Sequence, residues 1–294
     1  MIDLHTHSNA SDGTFSPSDL INYAKGKKVT VLALTDHDTV DGLQEAQEAA
    51  LSVGITFVPG IEINIAWPTG EFHLLGLGLR YVSPELNDII QFLKEGRQQR
   101  NKQMLQKLRG SGVDINLEEV AALAQTKTIG RPHFAQLMVE KGIVKTRQQA
   151  FDLYFAKGRP CYVEREGADL AEAVSAIKAS GGLPVQAHPL SMYVSWSKME
   201  EAITEIYSNG VAGLEAWHPG ARISEAERLE ELARKFGMFV TAGSDFHGEQ
   251  VRADRHLGFT AGKFKISERF WEQELRPQLI QAHGGEDLRF TASL

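Results

Sequence analysis

The sequence predicts an α/β domain built around a parallel sheet or barrel, broken once by a block of helices. Three observations carry that expectation. Roughly seven short apolar runs alternate with helical segments, the rhythm of strand–helix units. Between residues 84 and 157 only helical periodicity remains. Histidines and acids gather on the C-terminal side of the apolar runs, the face on which parallel α/β barrels carry their chemistry.

The elements follow in order. Residues 1–4 are a short apolar start, then a helix is expected over 17–27. Ser16 can cap it and Pro17 suits its first turn. The run 29–34 (VTVLAL) reads as a buried strand and 43–53, rich in Ala, Glu and Gln, as a helix. Residues 55–58 and 61–65 read as extended, broken by Pro59-Gly60, and 72–79 as a further strand. The helical block opens with a long helix over 85–108, followed by 117–125, 132–141 and 148–156. Strands return at 183–187, 211–217 and 238–242, with helices at 170–179, 198–208 and 224–236. A last helix is expected over 268–282. Residues 1–83 and 159–294 thus form the strand–helix domain, and 84–158 an inserted helical domain.

Composition narrows the function. The 294 residues are 42% hydrophobic and 23% charged, ordinary globular usage, with a net charge of -7. An acidic chain is a poor coat for duplex DNA, which calls for a basic surface. A single cysteine, Cys161, excludes an internal disulfide and a cysteine-based zinc site. The start MIDLHTHSNASDG has no basic stretch followed by an apolar one, so no secretory signal is expected. No apolar run is long enough to span a bilayer. A soluble, cytoplasmic protein without a membrane partner is the expectation. No nucleophile elbow, phosphate-binding Walker loop or dinucleotide-binding glycine fingerprint is present.

The polar residues at strand ends are the chemical signal. His5 and His7, two apart along a strand, point to the same face and can approach one cation. Asp12 follows in a Ser-Asp-Gly turn, where an ordinary turn residue is the plain alternative. His37 lies in an Asp-His-Asp triplet directly after VTVLAL. Glu62 sits between Ile61 and Ile63; a solvent-facing strand position is its ordinary reading, as a satisfied strand histidine is for His73. His188-Pro189 and Asp245-Phe246-His247 complete the set. Together these are three carboxylates and six imidazoles. One four-coordinate ion would leave five of them unused, whereas two or three ions with a bridging carboxylate would use them all. The mixed donor set favours Mn, Fe or Zn over Ca or Mg. Two ions about 4 Å apart are a recurrent arrangement for phosphoester hydrolysis.

The motifs DLHTHS (3–8), ALTDHDT (33–39), PGIEI (59–63), HLLG (73–76), AHP (187–189) and SDFH (244–247) run in order along the chain. In this the sequence resembles the PHP (polymerase and histidinol phosphatase) superfamily of metal-dependent phosphoesterases. It is most similar to the stand-alone bacterial branch acting on nucleoside 3′,5′-bisphosphates and 5′-phosphorylated short RNAs. The resemblance implies a distorted (β/α)7 barrel with an inserted small helical domain and a trinuclear metal centre of divalent ions, manganese first, with iron or zinc as alternatives. His5, His7, Glu62 and Asp245 would hold one ion, Asp12, His37 and His247 a second, and Glu62, His73 and His188 a third. Glu62, His188 and Asp245 are also the candidate catalytic residues, with metal-activated water as the nucleophile.

The same branch carries an Arg-Pro-His motif in its insertion, here Arg131-Pro132-His133. The resemblance implies that the insertion caps the active site, with Arg131 and His133 binding a substrate phosphate. A plain helix start is the alternative reading. His218, beside Trp217 at a strand end, is a third phosphate-binding candidate. A small nucleotide or short RNA is the expected partner. Rival readings are a histidinol-phosphate phosphatase, an amidohydrolase (for which no strand-end lysine is visible) and a non-catalytic metal-stabilised binding module.

Overall fold

A computed structural model describes residues 1–124, 128–285 and 288–291. Seven strands form one sheet in chain order: β1 (Ile2–Asp3), β2 (Val31–Leu34), β3 (Thr56–Ile65), β4 (Phe72–Leu77), β5 (Leu183–Gln186), β6 (Gly213–Trp217) and β7 (Phe239–Ala242). The sheet nearly closes into a barrel. Beyond β7 the chain returns to β1, where the Leu4 amide donates to the Ala242 carbonyl at 3.4 Å and the His7 amide to the Phe246 carbonyl at 2.9 Å. Strand ends differ from the sequence expectation by one to two residues, which is ordinary fraying.

The expectation of a parallel sheet or barrel needs one correction, at β4, which runs antiparallel to both β3 and β5. The short link between Ile65 and Phe72 dictates this: a parallel crossover needs a dozen or more residues. The reversal matters for function. The N-terminal end of β4, with His73, lies at the barrel end where β1–β3 and β5–β7 present their C-terminal ends.

A second correction concerns Pro59-Gly60, expected as a break. β3 runs through it without interruption. Pro59 spends its carbonyl on the Gly78 and Leu79 amides, at 2.8 and 3.0 Å. A Cβ on Gly60 would lie 2.9 Å from both the Gly76 carbonyl oxygen and Thr35 Cγ2. The glycine is there for close strand approach rather than for a turn.

The helices are α1 (Pro17–Gly26), α2 (Leu43–Val53), α3 (Pro84–Gly110), α4 (Leu117–Ala124), α5 (Arg131–Glu140), α6 (Arg147–Ala150), α7 (Leu170–Ala179), α8 (Trp196–Ser208), α9 (Ile223–Lys235) and α10 (Arg276–His283). Gln125, expected to end α4, lies outside the described residues. Ser16 caps α1 by accepting from the Asp19 amide at 3.1 Å, and Asp169 caps α7 through the Glu172 amide at 3.0 Å. Two expected helices are partly π-helical. α6 continues as a π turn over Phe151–Phe155, and α10 is preceded by one over Phe270–Leu275. Pro277 explains the second, since it gives no amide to the turn before it. Periodicity does not separate i+4 from i+5 bonding, so the first was not legible.

The described chain divides into two compact units. One comprises Met1–Ile90 and Gly167–Leu294, the other Gln91–Glu166. In the first, strand residues such as Leu32, Leu34, Ile61, Ile63, Leu75, Leu214 and Val240 are fully buried, each contributing about 1.5–3 kcal/mol. The second has its own core, including Met104, Leu108, Phe134, Met138 and Phe155 with the free thiol Cys161. No described helix is long and apolar enough to cross a membrane.

Candidate metal centre

All nine candidate ligands lie in the barrel unit and come together at one end of the sheet. They form four overlapping groups whose donor atoms lie within 4.8 Å of one another: His7, Asp12, His37 and His247; His5, His7 and Asp245; His5, Glu62 and His188; His37, Glu62 and His73. Sheet pairing explains part of this. Glu62 pairs with Leu75 and Asn64 with His73, so Glu62 and His73 are diagonal neighbours on one face. The chain after β7 approaches His5 so closely that a Cβ on Gly243 would collide with the His5 side chain. His188 and Asp245 have positive φ, 26° and 53°, strain of the kind that collects at functional sites.

Glu62 is the hub and is fully buried. Its Oε1 lies 3.0 Å from His73 Nδ1, 3.0 Å from His188 Nε2 and 3.4 Å from His5 Nε2. Its Oε2 lies 2.8 Å from His37 Nδ1 and 3.3 Å from His7 Nε2, yet accepts a hydrogen bond from neither. A buried carboxylate oxygen ringed by imidazole nitrogens but taking no proton from them is a donor set suited to cations. His5 Nε2 and His7 Nε2 also face each other at 3.1 Å. The residues present therefore fit divalent metal ions. Among the described residues no lysine is buried, so the bridging-lysine chemistry of an amidohydrolase finds no group there.

The carboxylates and His7 are in the charge state a cation needs, whereas the carboxylates around them lift His5, His188 and His247. Burial raises the Glu62 carboxyl, but the imidazoles of His37, His73 and His5 outweigh it and hold the group well below the usual carboxylate range. Asp12 and Asp245 are half-buried; desolvation raises them too, but His247 leads the groups that hold them well below their ordinary value. Burial, with His247 and His37 beside it, pushes His7 down to about 3. His247 is lifted to about 9, because Asp12 and Asp245 prevail over its burial. Ionised carboxylates beside a neutral His7 are what a divalent cation requires.

The outer groups orient the ligands. Glu215, fully buried on β6, receives His5 Nδ1 at 3.1 and 3.2 Å and the His188 amide at 2.9 Å. That places a proton on His5 Nδ1 and would leave Nε2 as the donor atom toward a bound cation. His247 Nδ1 donates to the Asp245 carbonyl at 3.0 Å, leaving Nε2 at 3.2 Å from Asp12. Asp36 accepts from the Ser8 amide and from the Ser8 and Ser11 hydroxyls. Asp3 accepts from the Ser244 amide and hydroxyl and from the Gly258 amide. Both aspartates are pushed up to about 6 by burial, against those hydrogen bonds. They tie down the loops carrying Asp12 and Asp245.

Glu215 was missed in the sequence, though a signal existed. GLEAW puts an acid between two buried apolar residues, as Ile61-Glu62-Ile63 does. Replacing Glu215 with Gln leaves one oxygen for two donors, so an amide NH2 opposes either His5 or the His188 amide. Metal affinity or turnover should fall about 10–100-fold, read by metal titration with the melting curve as a control. Unchanged affinity and turnover would reduce Glu215 to a packing role.

The phosphate-binding candidates are placed differently. His218 lies with the ligands: it is buried, its Nε2 is 3.5 Å from Asp245 Oδ2, and its ring is 5.2 Å from that of His188. Arg131 and His133 belong to the helical unit, in the first turn of α5. His133 Nδ1 accepts from the Gly130 amide at 3.0 Å, which puts the ring proton on Nε2.

Comparisons with known proteins agree with this geometry. The family model described as PHP domain matches residues 3–153. The chain is 35% identical to a 5′-3′ exoribonuclease of Haemophilus influenzae, over 83% of this chain and 89% of the relative. It is 32% identical to a 3′,5′-nucleoside bisphosphate phosphatase of Chromobacterium violaceum, over 95% of this chain and 98% of the relative. A structure from Bifidobacterium adolescentis, described as a metal-dependent phosphoesterase, superimposes with a TM-score of 0.82 at 28% identity, covering 97% of this chain and 96% of that one.

Proposed function

The chain belongs to the PHP family and is a metal-dependent phosphoester hydrolase, and from that premise we propose that its substrates are nucleoside 3′,5′-bisphosphates and 5′-phosphorylated short RNAs. The carrying observation is the nine-donor cluster around Glu62, in a chain similar over nearly its whole length to a bisphosphate phosphatase.

Three cations are proposed, with Glu62 shared and manganese as the first candidate. The overlap of the donor groups at His5, His7, His37 and Glu62 supports several ions rather than one. Divalent ions held there would supply an activated water and neutralise charge on the phosphoryl oxygens. The protein's own part is then positional. Glu62, Asp12 and Asp245 stay ionised. Glu215 and Ser191, the latter 2.9 Å from His188 Nδ1, set the directions of His5 and His188. His218 receives the Gly220 amide on Nδ1 at 3.0 Å, so its Nε2 proton is available to a phosphoryl oxygen. Arg131 and His133 are proposed to hold the second phosphate, a bidentate task suited to a guanidinium.

The test is phosphate release from adenosine 3′,5′-bisphosphate with Mn²⁺, beside histidinol phosphate. Turnover of the bisphosphate and none of histidinol phosphate is expected. The reverse would keep the phosphoesterase and overturn the substrate.

A further inference from the structure

Arg255, whose guanidinium lies beside the His218 turn, is not absorbed by the ligand cluster. It lies in the segment after β7 and is 6% exposed. Its Nε and Nη1 are buried and find no hydrogen-bond acceptor among the described residues. Its ion-pair partner is Asp254, with Oδ2 3.6 Å from Nε. That carboxylate is on the surface and already taken by Arg252, whose Nε and Nη2 donate to it at 3.2 and 3.3 Å.

The guanidinium lies against the turn His218-Pro219-Gly220. A Cβ on Gly220 would sit 3.4 Å from Arg255 Nη2 and 3.0 Å from His218 Nδ1. His218 Nε2, the protonated nitrogen of that ring, is likewise buried without a hydrogen bond. Two neighbouring side chains thus carry buried N–H groups that complete no hydrogen bond, His218 Nε2 having only Asp245 Oδ2 at 3.5 Å before it.

A guanidinium does not shed its charge on burial, and a buried charge without a partner is strongly disfavoured. Asp245 and Glu215 are near enough for their fields to act on Arg255. Both are committed elsewhere, Glu215 to His5 and Asp245 to the ligand groups. What completes the arrangement is an anion from outside the chain. The Nη1–Nη2 edge of a guanidinium fits two oxygens of one group, and an imidazole N–H serves a third. A carboxylate has two oxygens; a phosphoryl group has three to offer.

We propose that Arg255, with His218 beside it, is the barrel's own binding site for the phosphoryl group that is cleaved, separate in role from Arg131. This rests on the phosphoesterase reading of the same site. It makes Arg255 indifferent to the rest of the substrate: monoester and bisphosphate substrates need it equally.

The experiment titrates inorganic phosphate into the zinc-loaded protein by calorimetry, for the wild type, Arg255→Lys and Arg255→Ala. Arg255→Ala should weaken phosphate at least tenfold, Arg255→Lys should recover part of that, and kcat/KM should fall by the same factor for an aryl phosphate and a nucleoside bisphosphate. In the wild type, the ¹⁵N–¹H signal of Arg255 Nε should move along the same phosphate isotherm, a readout that does not depend on the variants folding. Wild-type phosphate affinity in both variants, or an Arg255 signal unmoved by saturating phosphate, overturns the proposal. A wild-type protein that cleaves no phosphoester would sink the activity, while the phosphate titration would still report on Arg255.

Discussion

Replacing Glu62 with Gln should abolish turnover and strip the protein of bound metal while leaving its secondary structure in place. No other side chain in the cluster faces as many partners. Five imidazole nitrogens, from His5, His7, His37, His73 and His188, lie between 2.8 and 3.4 Å from its two oxygens. Gln keeps the shape and loses the charge. Its NH2 group would face the cations themselves, or occupy the ring-nitrogen lone pairs that should bind them. Removing one partner from a buried charged cluster costs roughly 3–5 kcal/mol, which corresponds to about 10²–10⁴ in kcat where the lost charge acts on the reacting phosphate. Metal per chain, measured by atomic emission after gel filtration, should fall together with kcat on an aryl phosphate. His188→Ala and Asp245→Ala should move both readouts the same way, since each belongs to a different donor group. A Glu62→Gln protein with full metal and full activity would remove the shared-carboxylate assignment.

What the sequence made legible, and what it hid, has a common cause. His5, His37, His188 and Asp245 were visible because each follows an apolar run, and a polar side chain there needs a reason. His73 lies at the start of its run, and its membership depends on the reversal of β4, which no periodicity announces: a buried antiparallel strand reads like a buried parallel one. Pro59-Gly60 misled because turn chemistry and close strand packing use the same residues, and only the Gly76 carbonyl next to Gly60 distinguishes them. Glu215 was hidden by alternation, which allows a solvent-facing acid on any strand. Arg255 sits in an irregular segment with no period at all, so its burial is wholly a tertiary fact. Local pattern therefore revealed the inner donors, whereas the groups that aim them emerge only once strands are assigned to a face.

Replacing Arg131 with Ala should separate substrates rather than lower activity uniformly. Arg131 opens α5, and His133 in the same turn carries its proton on Nε2 because Nδ1 is engaged by the Gly130 amide. A guanidinium, an imidazole donor and a helix N-terminus in one turn all favour an anion. If that anion is the phosphate that is not cleaved, its loss falls on bisphosphates alone. Hydrogen bonds to charged groups are worth about 1.5–3 kcal/mol, so kcat/KM for adenosine 3′,5′-bisphosphate should drop roughly 10–150-fold. An aryl monophosphate, which has no second phosphate, should change less than about threefold, within the spread of a neutral surface substitution. Arg131→Lys should fall between, since an ammonium keeps the charge and loses the fork. The contrast with Arg255 is the sharpest part of the test, because Arg255→Ala is expected to depress both substrates alike. The ratio of the two kcat/KM values therefore reads which guanidinium holds which phosphate. An equal loss on both substrates for Arg131→Ala would remove it from the second-phosphate role and return Arg131-Pro132-His133 to an ordinary helix start.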